Sequence, residues 1–100
     1  MSLYRPLEGV RVVSLALNLP GPVAIHRMRG LGASVVKVEP PSGDPMEFAS
    51  PSIYAWLHEG IVVEKQDLKS AAGLESLHDH LSKADIFLTS SRLAALERLG

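Results

Sequence analysis

Cysteine is absent from this 100-residue chain. No disulfide can form and no thiol can act as a nucleophile, and the default expectation is a cytoplasmic protein. Long apolar runs are absent as well. No stretch reaches the roughly eighteen residues that a membrane span requires, so no membrane partner is expected. The first residues lack a charged start followed by a long apolar core, which argues against a secretory signal. An excess of one charge is missing too: the formal net charge is -1, which excludes a general nucleic-acid surface. There is no internal repeat and no low-complexity tract. The Gly-x-Gly-x-x-Gly pattern of an ordinary dinucleotide binder is also missing. The length allows one small domain.

What is present is an alternation of strand and helix signals. Val10, Val12, Val13, Leu15 and Leu17, bounded by Gly9 and Pro20-Gly21-Pro22, read as a buried parallel strand. Pro22 is placed to open a helix, where a missing N–H costs nothing. Val23, Ala24, Met28 and Leu31 give that helix an irregular apolar face, and Gly30 and Gly32 bracket its end. Ala33 to Val38 is the second strand, reached by a right-handed crossover. Pro40 to Ser52 reads as a turn-rich loop and Ile53 to His58 as a short helix carrying Trp56. Ile61 to Gln66 is a third strand. Ser70 can cap a helix with the stripe Ala71, Leu74, Leu77 and Leu81. Asp85 to Thr89 is a fourth strand, and Leu93 to Leu99 a final helix capped by Ser90 or Ser91. The fold class is therefore α/β, a Rossmann-like, doubly wound, mainly parallel sheet with flanking helices.

In such a sheet a ligand lies beyond the carboxyl ends of the strands. The Asn18–Pro22 loop belongs there, and the free N–H groups of the helix it opens suit an anion. Glu39 ends the second strand, where dinucleotide enzymes carry a ribose-binding acid, although many parallel strands end in an acid without that role. His78-Asp79-His80 suggests a metal cluster, but residues two apart on a helix point to different faces, so no metal is expected. His26 and His58 read as surface or helix-end histidines. Trp56 and Tyr54 read as packing residues. Ser90-Ser91 lack the Gly-x-Ser-x-Gly context of a hydrolase nucleophile.

The order and spacing of several short motifs resemble the N-terminus of the family III CoA-transferases, the CaiB/BaiF family, which also includes acyl-CoA racemases. These motifs are Pro6-Leu7-Glu8-Gly9, Gly21-Pro22, Leu31-Gly32-Ala33, Val35-Val36-Lys37-Val38-Glu39 and Gly43-Asp44-Pro45. Further along come Asp67-Leu68-Lys69-Ser70 with Ala72-Gly73, Ala84-Asp85-Ile86-Phe87-Leu88 and Leu96-Glu97-Arg98-Leu99-Gly100. The resemblance covers nearly the whole chain and implies that residues 1–100 are the N-terminal part of a CoA-binding Rossmann-like domain within a longer protein. It implies CoA and acyl-CoA as substrate with no prosthetic group, a carboxylic acid as the other substrate, and an interlocked homodimer.

The family's reaction implies an aspartate that attacks the acyl-CoA thioester to give a mixed anhydride, from which CoA is passed on. In the racemase branch an aspartate and a histidine exchange a proton α to the thioester. The catalytic aspartate is expected beyond residue 100, since Asp44, Asp67, Asp79 and Asp85 do not occupy the matching motif; no catalytic residue is assigned. By resemblance the CoA-binding residues are Leu68 and Lys69 along the nucleotide, Ser90, Ser91 and Arg92 near the pantetheine, and Arg98. Lysine and arginine are what the phosphates of CoA require.

Departures cut against this reading. Pro40-Pro41 stand where a basic residue is usual. Ile61 and Val62 replace basic positions before the third strand, Ser90-Ser91 replace an Asn-Phe pair, and Leu19-Pro20 replace a Gln-Ala pair. Two readings therefore stay open: the CoA-binding part of an enzyme, or an inactive relative acting as a binding or dimerisation scaffold.

Overall fold

The structure is a computed structural model and describes residues 4–90. Strands β1 (Arg11–Ser14), β2 (Ser34–Glu39), β3 (Val62–Lys65) and β4 (Ile86–Leu88) form one parallel sheet in the order β3-β2-β1-β4. Helices α1 (Pro20–Gly30), α2 (Pro45–Ala49), α3 (Pro51–Leu57) and α4 (Ala71–Ser82) fill the connections. This is the expected Rossmann-like α/β sheet. The final helix expected over Leu93–Leu99 lies outside the described residues.

The two-residue period of the strands sorts their side chains into two cores. Val12 and Val35, opposite one another in register, pack with Ile25 of α1 and Ala33. Val13 and Val38 face the other way and pack with Leu77 of α4. The helices lie on opposite faces because the chain steps from β1 to β2 in one direction and from β3 to β4 in the other. The same right-handed crossover then delivers them to opposite sides.

Cover is thinner on the α4 face. Val62 of β3 and Phe87 of β4, in register with Val36 and Val13, are 57% and 41% exposed. Among the described residues this face has one helix, and a helix about 10 Å wide cannot roof four strands spaced about 4.8 Å apart. No helix among the described residues is long and apolar enough to cross a membrane.

Two of the short motifs are helix-end devices. After α1, the N–H of Gly32 donates to the Arg29 carbonyl and that of Ala33 to the Met28 carbonyl, with Gly32 at φ +108°. This is the paired-bond stop that calls for glycine in the left-handed region, so Leu31-Gly32-Ala33 ends the helix. Before α4, Ser70 Oγ accepts from the Gly73 N–H at 3.0 Å and donates to the Asp67 carbonyl at 2.7 Å. The Asp67 carboxylate accepts from the Lys69 N–H at 3.0 Å. A side chain at Gly73 would run into the Asp67 carbonyl. Asp67-Leu68-Lys69-Ser70 with Gly73 thus folds as one compact cap, as expected for Ser70.

The proline-rich stretch departs from expectation. Pro40 to Ser52 is not all loop: it holds α2, and α3 begins already at Pro51. Pro45 and Pro51 occupy first helical turns, where an N–H has no intrahelical partner. Asp44 caps α2 by accepting from the Met46 N–H. For the same reason α1 starts at Pro20, two residues before the expected Pro22. Pro45 and Pro51 thus mark helix starts within a stretch whose composition reads as loop.

Candidate functional site

A cleft of about 430 Å³ opens at the carboxyl ends of the strands. Leu15 and Leu17 line it after β1, Val38, Pro40 and Pro41 at the end of β2, and Gln66 to Lys69 after β3. Two of the CoA-binding candidates, Leu68 and Lys69, therefore lie on the cleft, brought there by the capped turn that starts α4. Lys69 is exposed and, among the described residues, is the one cation of the lining, with Asp67 the one anion. Pro40 and Pro41 give the wall apolar surface where a base was expected. Ser90 is exposed just past β4 and is not among the residues lining the cleft. Ser91, Arg92 and Arg98 lie outside the described residues.

Behind the cleft wall is a cluster that the sequence reading did not assemble. Lys37 and Glu39 are two residues apart in β2, so both side chains point to the α1 and α3 side of the sheet. Tyr54 and His58 are four apart at the end of α3 and share a helix face. Asp44 comes from the β2–α2 loop. The Lys37 ammonium donates to Asp44 Oδ2 at 2.5 Å, lies 2.8 Å from His58 Nε2 and is 3.1 Å from Glu39 Oε2. Tyr54 donates its phenol proton to Glu39 Oε2 at 2.6 Å. The rings of Tyr54 and His58 stack at 4.0 Å. Lys37, Glu39 and Asp44 have no exposed side-chain surface.

The proton positions follow from the partners. His58 Nδ1 lies 2.7 Å from the Tyr54 carbonyl, which can only accept. Nδ1 therefore carries the proton, and Nε2 offers its lone pair to the Lys37 ammonium. Burial and the adjacent Lys37 charge pull the His58 pKa below its ordinary value, against the opposing effect of the Tyr54 carbonyl. Burial alone would raise the Asp44 pKa. Hydrogen bonds from Lys37 and from the Met46 and Asn18 N–H groups outweigh it and hold the carboxyl low. Burial and the hydrogen bond to Glu39 push the Tyr54 phenol well above its ordinary range. The cluster is thus an ammonium, two carboxylates and a neutral imidazole.

Glu39, Asp44 and His58 offer donor atoms within 4.8 Å of one another, a spacing that would suit a metal ion. The Lys37 ammonium stands among them and supplies the positive charge instead. A buried ammonium must be paired and hydrogen-bonded to be tolerated, and here it has hydrogen bonds to Asp44 and His58 and an ion pair with Glu39.

Several expectations are corrected by this arrangement. Glu39 is not poised for a ribose, because its carboxylate is buried against Lys37 and Tyr54. His58 stands at a helix end, directly after α3, as one of its two expected placements had it, but it is buried in the cluster and not on the surface. Trp56 is not a packing residue, being 58% exposed with its ring 4.3 Å from that of His26. Tyr54 belongs to the charged cluster. Of His78-Asp79-His80, His80 pairs with Glu64 at 2.6 Å and Asp79 with Lys83 at 3.4 Å.

Comparison with known proteins decides the family. The sequence pattern of CoA-transferase family III matches residues 7–100. The chain belongs to CoA-transferase family III. This family III chain is 35% identical to (R)-2-hydroxy-4-methylpentanoate CoA-transferase of Clostridioides difficile, over 94% of its own length and 26% of that protein. It is 33% identical to cinnamoyl-CoA:phenyllactate CoA-transferase of Clostridium sporogenes, over 93% of its length and 25% of that protein. The crystal structure of a CaiB/BaiF family protein from Brucella suis superposes with a TM-score of 0.85 at 28% identity, covering 96% of this chain and 28% of that one. The chain thus spans about a quarter of the length of the curated relatives it matches.

Proposed function

We propose that residues 1–100 form the N-terminal, CoA-binding part of a Rossmann-like domain in an enzyme that transfers CoA between an acyl-CoA and a carboxylic acid. The observation that carries this reading is the cleft at the carboxyl ends of the strands, with Leu68 and Lys69 on its wall. An apolar wall suits the adenine and pantetheine of CoA, and an exposed ammonium suits a phosphate. Ser90, Ser91, Arg92 and Arg98 would extend the site past β4. CoA acts here as substrate, not as a resident group, and the protein works in the cytoplasm as a homodimer.

The catalytic carboxylate is supplied from outside these residues. Each aspartate of this segment already has a structural partner: Asp44 holds Lys37, Asp67 caps a turn, Asp79 pairs with Lys83, and Asp85 accepts from the Arg11 N–H at 2.9 Å. Calorimetric titration of the full-length protein with CoA tests the binding. Saturable binding that weakens in Lys69→Ala is the expected result, and no binding at millimolar CoA would overturn it.

A second reading draws on Pro40 and Pro41. They leave the cleft, among the described residues, with one cation balanced by one anion, which favours a relative that keeps the fold as a binding or dimerisation scaffold. An assay for CoA transfer from an acyl-CoA to carboxylic acids separates the two readings, since the scaffold binds without turnover.

A further inference from the structure

Two of the segments that wall the cleft are loops that share no strand or helix. Leu15 and Leu17 lie in the β1–α1 loop, and Pro40 and Pro41 in the β2–α2 loop. A single carboxylate joins them. Asp44 Oδ1 accepts from the Asn18 N–H at 3.1 Å and from the Met46 N–H at 3.0 Å, while Oδ2 receives the Lys37 ammonium. Asn18 holds φ +70°, a left-handed conformation rare for a side-chain-bearing residue. Its N–H reaches Asp44 in that conformation. Lys37 is in turn fixed by Glu39 and His58, and hence by β2 and α3.

We propose that Asp44 is a positioning residue that braces the two walls of the cleft, with Lys37 as its buried anchor. The carboxylate sets the separation of Leu17 from Pro40 and Pro41, and so the width available to a bound ligand. Its effect on CoA rests on the reading of the cleft given above; its effect on the loops does not. The groups that face Asp44 are Lys37 and Glu39 of β2, Tyr54 of α3 and His58 just after it.

Two variants divide the brace. Asp44→Ala removes every bond. Asp44→Asn keeps an amide oxygen for Asn18 and Met46 but turns an NH₂ donor toward the Lys37 ammonium, so only the anchor is lost. In the full-length protein, hydrogen–deuterium exchange is followed in peptides covering residues 16–22 and 42–49, and CoA affinity by calorimetry. Asp44→Asn should raise exchange in both peptides several-fold and weaken CoA at least threefold. Asp44→Ala, if it folds, should exceed it on both measures. Two controls mark the specific effect. Asp79→Asn, on an exposed ion pair, should change neither. Ile25→Val should lower the melting temperature through the α1 core with CoA affinity kept. Unchanged exchange in both peptides of Asp44→Asn would overturn the brace. A wild-type protein that binds no CoA, with exchange rising as expected, would overturn the reading of the cleft and leave the brace standing.

Discussion

The ammonium of Lys37 rests 2.8 Å from Nε2 of His58, an imidazole whose other nitrogen is bonded to the main chain of its own helix. A lysine donating to a neutral histidine is an arrangement that acid destroys. A proton on Nε2 would set two cations against each other in a buried site.

The first prediction concerns that proton. The folded pKa of His58 lies below its ordinary value of 6.5, so the unfolded chain binds the proton more readily. Stability is fully present above about pH 6.5 and falls as pH drops from there toward the depressed folded value. Asp44 acts with the same sign in a lower window: its stabilisation is present above its ordinary value of 3.8 and is lost as pH falls through the lowered folded pKa. Melting temperature measured between pH 5 and 8 should therefore fall toward the acid end. The His58→Gln variant should give a flatter profile over the same range. Parallel slopes in the two proteins would contradict the assignment.

Among the described residues, Lys37 is the one cation paired with the two buried carboxylates Glu39 and Asp44. Replacing it with methionine leaves both uncompensated and should cost about 3–5 kcal/mol of stability, read from denaturant unfolding. Lys37→Ala opens a different possibility. Glu39, Asp44 and His58 Nε2 would surround a space the size of an ammonium, and nitrogen and oxygen donors of this kind suit zinc or cobalt. Zinc should raise the melting temperature of Lys37→Ala and leave the wild type unmoved. An equal response in both proteins would rule this out.

Ligand electrostatics are tested at Lys69 and Pro41. Loss of one charge-assisted hydrogen bond in Lys69→Ala should weaken CoA by about 1–3 kcal/mol, with the deficit shrinking as salt rises. Pro41→Arg restores a base to the cleft wall and should tighten CoA. Equal affinity in both variants and the wild type would place the phosphates elsewhere.

The α4 cap gives a stability prediction. Ser70→Ala removes the acceptor for the Gly73 N–H and should cost about 1 kcal/mol. Gly73→Ala pushes a methyl group into the Asp67 carbonyl and should cost more than that. If Gly73→Ala unfolds no more easily than Ser70→Ala, the close approach at this turn is not limiting.

The sheet was legible because its strands are short β-branched runs, and the Ser70 cap because hydroxyl and glycine stand at fixed spacing. Leu68 and Lys69 on the cleft were reached through the family motif, not through periodicity. The buried cluster was legible only in pieces. Lys37 and Glu39 in one strand announce a same-face pair of opposite charge, and a charged pair in so apolar a run must be matched by something. Tyr54 and His58 show the i, i+4 spacing of a shared helix face. Nothing local says that these two pairs meet, since His58 is 21 residues from Lys37 and their approach depends on how α3 packs over β2. Pro45 and Pro51 misled for a physical reason: proline disrupts a helix interior and is at home in its first turn.

The order β3-β2-β1-β4 has a consequence for synthesis. The first of the four described strands becomes an interior one. β1 gains one neighbour when Ser34–Glu39 emerges from the ribosome and the other only with Ile86–Leu88. Until then Val12 and Val13 belong to a strand with one open edge, the kind of edge that recruits other nascent chains. The growing polypeptide is therefore exposed to strand-edge pairing during this interval.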